Sequence, residues 1–479
     1  MQKVQSKVLS VFFLIHFFLW TIIPCFRKIL PLDTLEAIVW GAMKQWGTNK
    51  HPPLSGWLAY GFFKLNLGDV SLYALSALCV LVGLFFIFKT AEIFLSQSKA
   101  ICATLLMEGI MYYNFSSVEF NVNVVSLALW PATTYFFIKA VLSDRKIDWL
   151  YLGFFAGLNM LNKYVCGVLF LSFFCYLIFT KQGRSRFKSL GPYLALFVGL
   201  ITILPHLIWL YQTDFFIIDY FLGRSSSVAY HVSNHILCPL RFLGVQIVFT
   251  LPVLLAYFLL YRSAQKESSS DNKTQKQLLF YTGLLPLLLT TAISAISGVR
   301  LKSMWGFPLL YMTTVLLFFF FPFKLEAKQN KKIITVSFVF LFLFAGLYLV
   351  QIMCNAGKNF STPPKEFIAK MDQIWHEEEQ IPLTTVGGGT WQTSALFVYH
   401  PTVKNVLFQM EFYKNPWFDK NLIDTQGILI VDENKEQVAE YQKKYPNAIF
   451  KEYQLETKNW FKKKRSKTIY YTIIKENAP

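Results

Sequence analysis

The sequence predicts a polytopic α-helical membrane protein with a small C-terminal α/β domain. Hydrophobic residues make up 54% of the 479 residues and charged residues only 15%, whereas about a quarter of an average soluble domain is charged. Apolar runs long enough to cross roughly 30 Å of hydrocarbon recur along the chain. After residue 354 the aliphatic runs shorten and charged residues become frequent, which indicates a soluble domain.

The apolar runs predict about eleven transmembrane helices, with an uncertainty of about two. They cover residues 8–26, 70–95, 100–117, 122–142, 149–161, 164–180, 190–210, 237–260, 277–297, 303–321 and 333–353. The first run is not typical of a cleaved signal peptide, because its apolar stretch is long and no small-x-small cleavage site follows it.

Lysine and arginine predict the orientation of these helices. Basic loops follow the runs that end near residues 142, 180, 260 and 321, and the positive-inside rule places such loops in the cytoplasm. With the N-terminus also inside, an odd number of spans puts the loop at 27–69 and the C-terminal domain on the outer, periplasmic side. The formal net charge of +18 lies mostly in these loops, so it reflects membrane topology and does not indicate a nucleic-acid-binding face.

We therefore expect a transmembrane domain at 1–354 and a periplasmic α/β domain at 355–479. Within the second, short β-like runs lie at 383–386, 427–431 and 468–474, with an amphipathic helix at 434–444. Strand and helix alternate, as in a small α/β fold. Three glycines at 387–389 follow the first run, but they lack the spacing of a phosphate-binding loop.

The first outer loop, 27–69, carries the densest group of candidate catalytic residues. Asp33 and Glu36 are spaced as in a helix capping box, with Asp33 as N-cap. The same spacing places two carboxylates on one side of a helix, where one could act as a general base and Glu36 could hold a divalent metal ion. Lys50 and His51 precede two prolines, so they form either a plain loop corner or a rigid corner that presents two donors to a phosphate.

Polar residues at the outer ends of later runs extend this candidate site. Glu119, Asn121 and Asn123 open the run at 122–142, and polar groups at membrane depth usually face the bundle interior or a water-filled cavity. Asn162 and Lys163 separate two apolar runs on the outer side. There Lys163 either extends its ammonium group to the interface or binds a lipid phosphate.

Two further outer loops carry candidate ligands. Arg300 and Lys302 lie in a loop of about five residues on the side where the positive-inside rule disfavours cations, so they are candidates for phosphate binding. His231 lies in the longer loop 211–236, which could gate the site.

The order and spacing of these motifs resemble the GT-C glycosyltransferases that use polyprenyl-phosphate sugars. Within that group the sequence most resembles the bacterial aminoarabinose-transferase and lipid A galacturonosyltransferase branch, of the dolichyl-phosphate-mannose protein mannosyltransferase superfamily. The motifs are the acidic outer loop ending in His51-Pro52-Pro53-Leu54, 120–123 with 129–131, 157–164, and 205–209.

The resemblance implies transfer of a sugar from an undecaprenyl-phosphate donor to lipid A or the inner core of lipopolysaccharide, at the periplasmic face of a bacterial inner membrane. It places the catalytic acids at Asp33 and Glu36 and the donor phosphate at Lys163. The alternatives are a protein O-mannosyltransferase, a flippase or transporter of lipid-linked sugars, and a membrane-anchored binding module. Charges crowd one surface and no repeated halves are visible, which disfavours a transporter.

Overall fold

The computed structural model describes residues 2–218, 223, 231–355 and 362–474, with side chains described from residue 7 onward. A bundle of long apolar helices comes first, and a five-stranded sheet flanked by helices follows. The predicted fold class is confirmed. Residues 219–222 and 224–230 of the predicted gating loop lie outside the described residues.

The helices of the bundle follow the apolar runs. Two short helices, α2 and α3, lie in the first outer loop between α1 and α4. In chain order they are α1 (Gln2–Ile22), α2 (Leu32–Ala42), α3 (Leu54–Phe63), α4 (Val70–Phe94), α5 (Gln97–Leu106), α6 (Val122–Ser143), α7 (Lys146–Asn162), α8 (Gly167–Phe179), α9 (Lys181–Arg186), α10 (Gly191–Gln212), α11 (Asn234–Ser263), α12 (Lys273–Leu279), α13 (Leu285–Ser297), α14 (Thr313–Phe320) and α15 (Ala327–Cys354).

By length and composition, seven helices in the described residues could cross a membrane, or eight if the bent pair Ser303–Leu310 and Thr313–Phe320 forms one span. The predicted runs at 149–161 and 164–180 form the helices α7 and α8, of 17 and 13 residues. Both are shorter than the seven candidate spans. The count of about eleven spans therefore stays a prediction.

The run at 100–117 does not form the single helix that was predicted. Helix α5 ends at Leu106, and short 3-10 turns follow up to Val118. The Asn114 side chain donates to the carbonyl oxygens of Glu108 (2.5 Å) and Ile110 (3.2 Å). These side-chain bonds replace the regular backbone ladder, because an asparagine amide competes for backbone carbonyls.

Contacts join several of the predicted inner loops in pairs. Arg186 forms an ion pair with Asp144 at 3.2 Å, Lys99 pairs with Glu267 at 2.5 Å, and the backbone N–H of Lys324 donates to the carbonyl of residue 265 at 2.8 Å. The assignment of these basic loops to the cytoplasmic side stays a prediction.

The C-terminal region is a mixed sheet with helices around it. Its helices are α16 (Pro364–His376), α17 (Thr390–Tyr399), α18 (Asn421–Gln426) and α19 (Lys435–Lys444), and its strands are β1 (Thr385–Gly388), β2 (Asn405–Phe408), β3 (Ile428–Asp432), β4 (Lys451–Lys458) and β5 (Lys464–Ile474). The strand order is β2-β1-β3-β5-β4. The pairs β1–β2 and β1–β3 are parallel, and β5 runs antiparallel to β3 and β4.

Tight packing explains the glycine at the end of β1. Gly388 has φ +110°, and a Cβ there would lie 2.4 Å from the carbonyl oxygen of Val431. Glycine is required where the backbone takes such a conformation and approaches a neighbouring strand closely.

The C-terminal domain rests on the first outer loop. Helix α17 packs against α2, and the Tyr399 hydroxyl accepts from the backbone N–H of Leu30 and donates to Asp69, both at 3.0 Å. Leu30 and Asp69 lie at the two ends of the loop, so one side chain ties both ends to the C-terminal domain.

Candidate active-site cavity

Helix α2 presents the two acids predicted in the first outer loop. The helix starts after Pro31, so Asp33 lies in its first turn and no side chain caps it. The predicted capping box is therefore wrong. Proline takes the N-cap position, and the Asp33 carboxylate is directed to a partner outside the helix, where it also lies near the positive end of the helix dipole.

A cavity of about 640 Å³ opens beside this helix. Its lining contains seven of the predicted site residues: Asp33, Glu36, Lys50, His51, Asn121, Asn123 and Lys163. Aliphatic residues of the lining include Val165, Val168, Leu171, Ile217, Ile218, Ile293 and Leu301. A cavity lined by both charged and aliphatic side chains fits an amphipathic ligand.

Asn121 connects Asp33 to the start of α6. Its side-chain oxygen accepts from the backbone N–H groups of Asn123 (2.8 Å) and Val124 (3.4 Å), which caps that helix. Its amide nitrogen donates to the Asp33 carboxylate at 3.1 Å. Since the cap fixes the asparagine, Asn121 holds one Asp33 oxygen in place and leaves the half-buried carboxylate at the cavity wall.

Glu119 is a second carboxyl group directly beside Asp33. It is partly buried and accepts from the Asp33 backbone N–H at 3.1 Å. Burial and the charge of Asp33 raise the pKa of Glu119 from 4.5 to about 7, while the positive charge of Arg27 acts in the opposite direction. Two neighbouring carboxyl groups at neutral pH thus share less than two full negative charges.

Glu36 and Lys50 form an ion pair at the cavity wall. Their side chains approach to 2.5 Å, with Glu36 5% exposed and Lys50 23% exposed. The Lys50 ammonium also lies 5.7 Å from the centre of the Trp40 ring, and His51 packs edge-on against the same ring. The Thr48 hydroxyl accepts from the backbone N–H of His51 at 2.9 Å, which holds the turn before the two prolines.

Lys163 enters the cavity where the helical backbone breaks. Helix α7 ends at Asn162, and Lys163 takes an extended conformation before the next turn. Its ammonium group donates to the Asn123 side chain at 2.6 Å. Asn162 is fully buried and donates to the Val122 carbonyl and the Ser126 hydroxyl, so it joins α7 to α6 behind the cavity wall.

The remaining predicted site residues lie outside the cavity lining. Arg300 is exposed and Lys302 is partly exposed, and only Leu301 between them reaches the wall. His231 is exposed at the edge of the described segment. A role for these three residues in binding stays a prediction.

No group of three or more His, Cys, Asp or Glu side chains in the described part of the chain is arranged to hold a metal ion. Glu36 pairs with Lys50 at this wall, and its suggested role as a metal ligand stays a prediction.

Arg27 is the main residue of this region that the sequence analysis missed. It lies just after α1, donates to the Tyr348 hydroxyl at 3.2 Å and to the carbonyl of Ile29 at 3.3 Å, and sits close enough to Glu119 to oppose the rise in its pKa. The sequence marked Lys163 because it is a cation at the predicted outer end of an apolar run. Arg27 has the same position after the first run, so the same criterion would have marked it.

Comparisons with known proteins agree with this geometry. A model of the family described as dolichyl-phosphate-mannose-protein mannosyltransferase matches residues 50–209, a range that contains Lys50, His51, Glu119 and Lys163. A comparison with curated protein sequences finds no match.

Two solved structures share the whole fold. The chain is similar to ArnT from Cupriavidus metallidurans bound to undecaprenyl phosphate, with a TM-score of 0.66, 13% identity, and coverage of 98% of this chain and 99% of that one. It is also similar to the apo state of the same protein, with a TM-score of 0.61, 12% identity and coverage of 99% of each chain.

The chain therefore has a GT-C fold of the ArnT type, with the C-terminal sheet domain included in the match. The resemblance predicted from the motifs at 51–54, 120–123 with 129–131, 157–164 and 205–209 is confirmed at the level of the fold.

Proposed function

We propose that the chain is a membrane glycosyltransferase that takes a sugar from a polyprenyl-phosphate donor. The observation that supports this most directly is the composition of the cavity. Asp33 and two lysines, Lys50 and Lys163, line it together with aliphatic side chains. The ArnT structure with bound undecaprenyl phosphate shows that a protein of this fold holds such a lipid.

In this proposal the donor phosphate binds Lys50 and Lys163, and its prenyl chain contacts the aliphatic side chains of the lining. As the bond between the sugar carbon and the phosphate oxygen breaks, negative charge grows on the leaving phosphate. Lysines held in place by Glu36 and Asn123 stabilise that charge without reorganising. Two lysines at this position support a lipid-phosphate donor, because a leaving phosphate is stabilised by positive charge and needs no proton.

Asp33 acts on the acceptor. If the acceptor group is a hydroxyl, its oxygen forms the new bond to the sugar carbon and its proton passes to the Asp33 carboxylate. If the acceptor group is a phosphate, it is already ionised and Asp33 orients it. Asn121 holds the carboxylate in either case.

The acceptor we propose is lipid A or the inner core of lipopolysaccharide, at the periplasmic face of a bacterial inner membrane. In this proposal residues 1–354 form the catalytic transmembrane domain and residues 355–479 a periplasmic domain. The support is the fold shared with ArnT over both regions.

A second candidate is transfer to a protein hydroxyl. The match of residues 50–209 to a family of protein mannosyltransferases favours it. The two candidates share the donor site and differ only in the acceptor.

Mass spectrometry of lipid A from cells with and without the gene tests the proposal. The expected result is a sugar-sized mass increase that disappears in Asp33→Asn, at equal membrane expression, and is retained in Asp419→Asn, a change at an exposed position of the C-terminal domain. Unchanged lipid A together with a sugar on a membrane protein would favour the second candidate. No transfer to either acceptor from any polyprenyl-phosphate sugar would refute both.

A further inference from the structure

The tip of the β4–β5 hairpin presents aromatic and basic side chains side by side. Residues 458–467 contain six lysines and arginines and no acid. Every residue from Trp460 to Arg465 is exposed, and among them Trp460 is 49% and Phe461 66% exposed. The proposed transfer reaction gives this hairpin no role.

Contacts place the tip at the ends of two membrane-crossing helices. The Asn459 side chain donates to the carbonyl of Cys354 at 3.0 Å, and the Trp460 backbone N–H donates to the carbonyl of Met353 at 3.3 Å. The Trp460 ring packs edge-on against Phe26, 5.7 Å between centres. Since the candidate spans run over Lys7–Phe26 and Ala327–Cys354, the tip lies at the level where hydrocarbon gives way to headgroups.

The two exposed aromatic rings suit that level of the membrane. Tryptophan is enriched at membrane–water interfaces because its ring is apolar and its N–H is polar. An exposed Phe461 costs little there and would be unfavourable in bulk water. The hairpin also donates hydrogen bonds to two carbonyl groups at the C-terminal end of α15, where carbonyls lack helical partners. These bonds hold the tip at the end of that helix.

The charge of the tip identifies the lipid. Lys462 and Lys463 lie in the connection between the strands, and Arg465 is the second residue of β5. Lys464 lies 3.5 Å from Glu456 on the neighbouring strand. Lys28, which follows α1 in the chain, donates to the carbonyl of Lys458 at 3.3 Å. Clustered cations beside a bilayer attract anionic lipid headgroups.

We propose that the 459–465 tip is a membrane-binding site for the phosphate headgroups of anionic phospholipids around the ends of α1 and α15. Trp460 and Phe461 enter the interface, and Lys462, Lys463 and Arg465 bind phosphates. The tip thereby anchors the C-terminal domain to the bilayer, at a place distinct from the proposed donor cavity.

Two measurements on the full-length protein test this site. The first is hydrogen–deuterium exchange at 459–465 in nanodiscs of phosphatidylcholine with and without phosphatidylglycerol. The second is binding of phosphatidylglycerol by native mass spectrometry. The triple variant Lys462→Gln/Lys463→Gln/Arg465→Gln is compared with Lys404→Gln/Lys435→Gln/Lys443→Gln, which removes the same charge from exposed positions outside the hairpin.

We expect slower exchange at the tip when phosphatidylglycerol is present, in the wild type and in the control variant. The tip variant should lose this protection and bind phosphatidylglycerol roughly tenfold or more weakly, the loss expected for removing cations beside an anionic bilayer. Phe461→Ser should reduce protection in both bilayers.

Three results would overturn the site. They are equal exchange at the tip in both bilayers, equal loss of lipid binding in the two triple variants, and protection by inorganic phosphate alone. The first result would show that anionic lipid does not bind the tip. The second would show that lipid binding depends only on the net charge of the protein, and the third would show that the tip binds a free anion and not the bilayer. None of these outcomes depends on sugar transfer, so this site and the proposed function fail separately.

Discussion

Replacing Glu119 by glutamine should flatten the dependence of thermal stability on pH. The pKa of Glu119 is raised from 4.5 to about 7 by burial and by Asp33. Below about pH 4.5 the carboxyl is protonated in both the folded and the unfolded chain, so it costs nothing. Between about pH 4.5 and 7 the unfolded chain ionises this carboxyl while the folded protein keeps it protonated, so stability falls over this range, and the loss is complete above about pH 7.

The size of the effect follows from the shift. A difference between 4.5 and about 7, at 1.36 kcal/mol per pKa unit, corresponds to about 3 kcal/mol of stability lost above pH 7. For a chain of this length that is on the order of 3 °C in Tm. Glutamine keeps an oxygen that can accept from the Asp33 N–H and cannot ionise, so the variant should escape this loss.

The assay is thermal unfolding of the purified protein in detergent at several pH values between 4.5 and 8, at one scan rate because unfolding of such proteins is often irreversible. Wild type and a control, Glu452→Gln on an exposed strand, should lose the same Tm on going to pH 8. Glu119→Gln should lose less. If the variant keeps the full pH dependence of the wild type, the raised pKa of Glu119 is refuted.

Three further predictions test other parts of the site. Lys50→Met should lower stability by about 3 kcal/mol or less, because it leaves the buried Glu36 without this partner. Adding Glu36→Gln should restore Tm but not donor binding, and restored donor binding would show that Lys50 does not hold the phosphate. Asn162→Ala should cost about 1–3 kcal/mol through its lost buried hydrogen bonds, with kcat of the folded fraction unchanged; a selective loss of kcat would make Asn162 part of the substrate site. Alkaline phosphatase fused after residue 400 should be active and after residue 185 inactive, and the reverse pattern would invert the topology.

Local patterns predicted most of the fold. Ten of the eleven predicted apolar runs coincide with helices or a bent helix pair, and residues 100–117 are the exception. That run fails because Asn114 bonds to backbone carbonyls, a competition that apolar length does not reveal. In the C-terminal domain the predicted runs at 427–431 and 468–474 became β3 and β5, whereas β4 was missed because its sequence is mostly charged and polar.

The candidate site was predicted as a set of residues but not as a set of contacts. Sequence alone marked Asp33, Lys50 and Lys163 by charge at the outer surface, and all three line one cavity. The bond from Asn121 to Asp33 joins residues 88 positions apart, so it depends on how α2 packs against α6. The same tertiary packing decided that Asp33 does not cap its own helix.

Binding of undecaprenyl phosphate to the purified protein tests the central claim most directly. The informative variant is Lys163→Met, which keeps much of the apolar stem and removes the charge at the cavity wall. Its matched control is Lys64→Met, an exposed lysine of the same outer face that does not line the cavity. We predict that wild type and Lys64→Met bind the lipid equally and that Lys163→Met binds it roughly tenfold or more weakly, since a charge-assisted bond to phosphate is lost. Equal binding by all three proteins would contradict the assignment of the donor phosphate to this cavity.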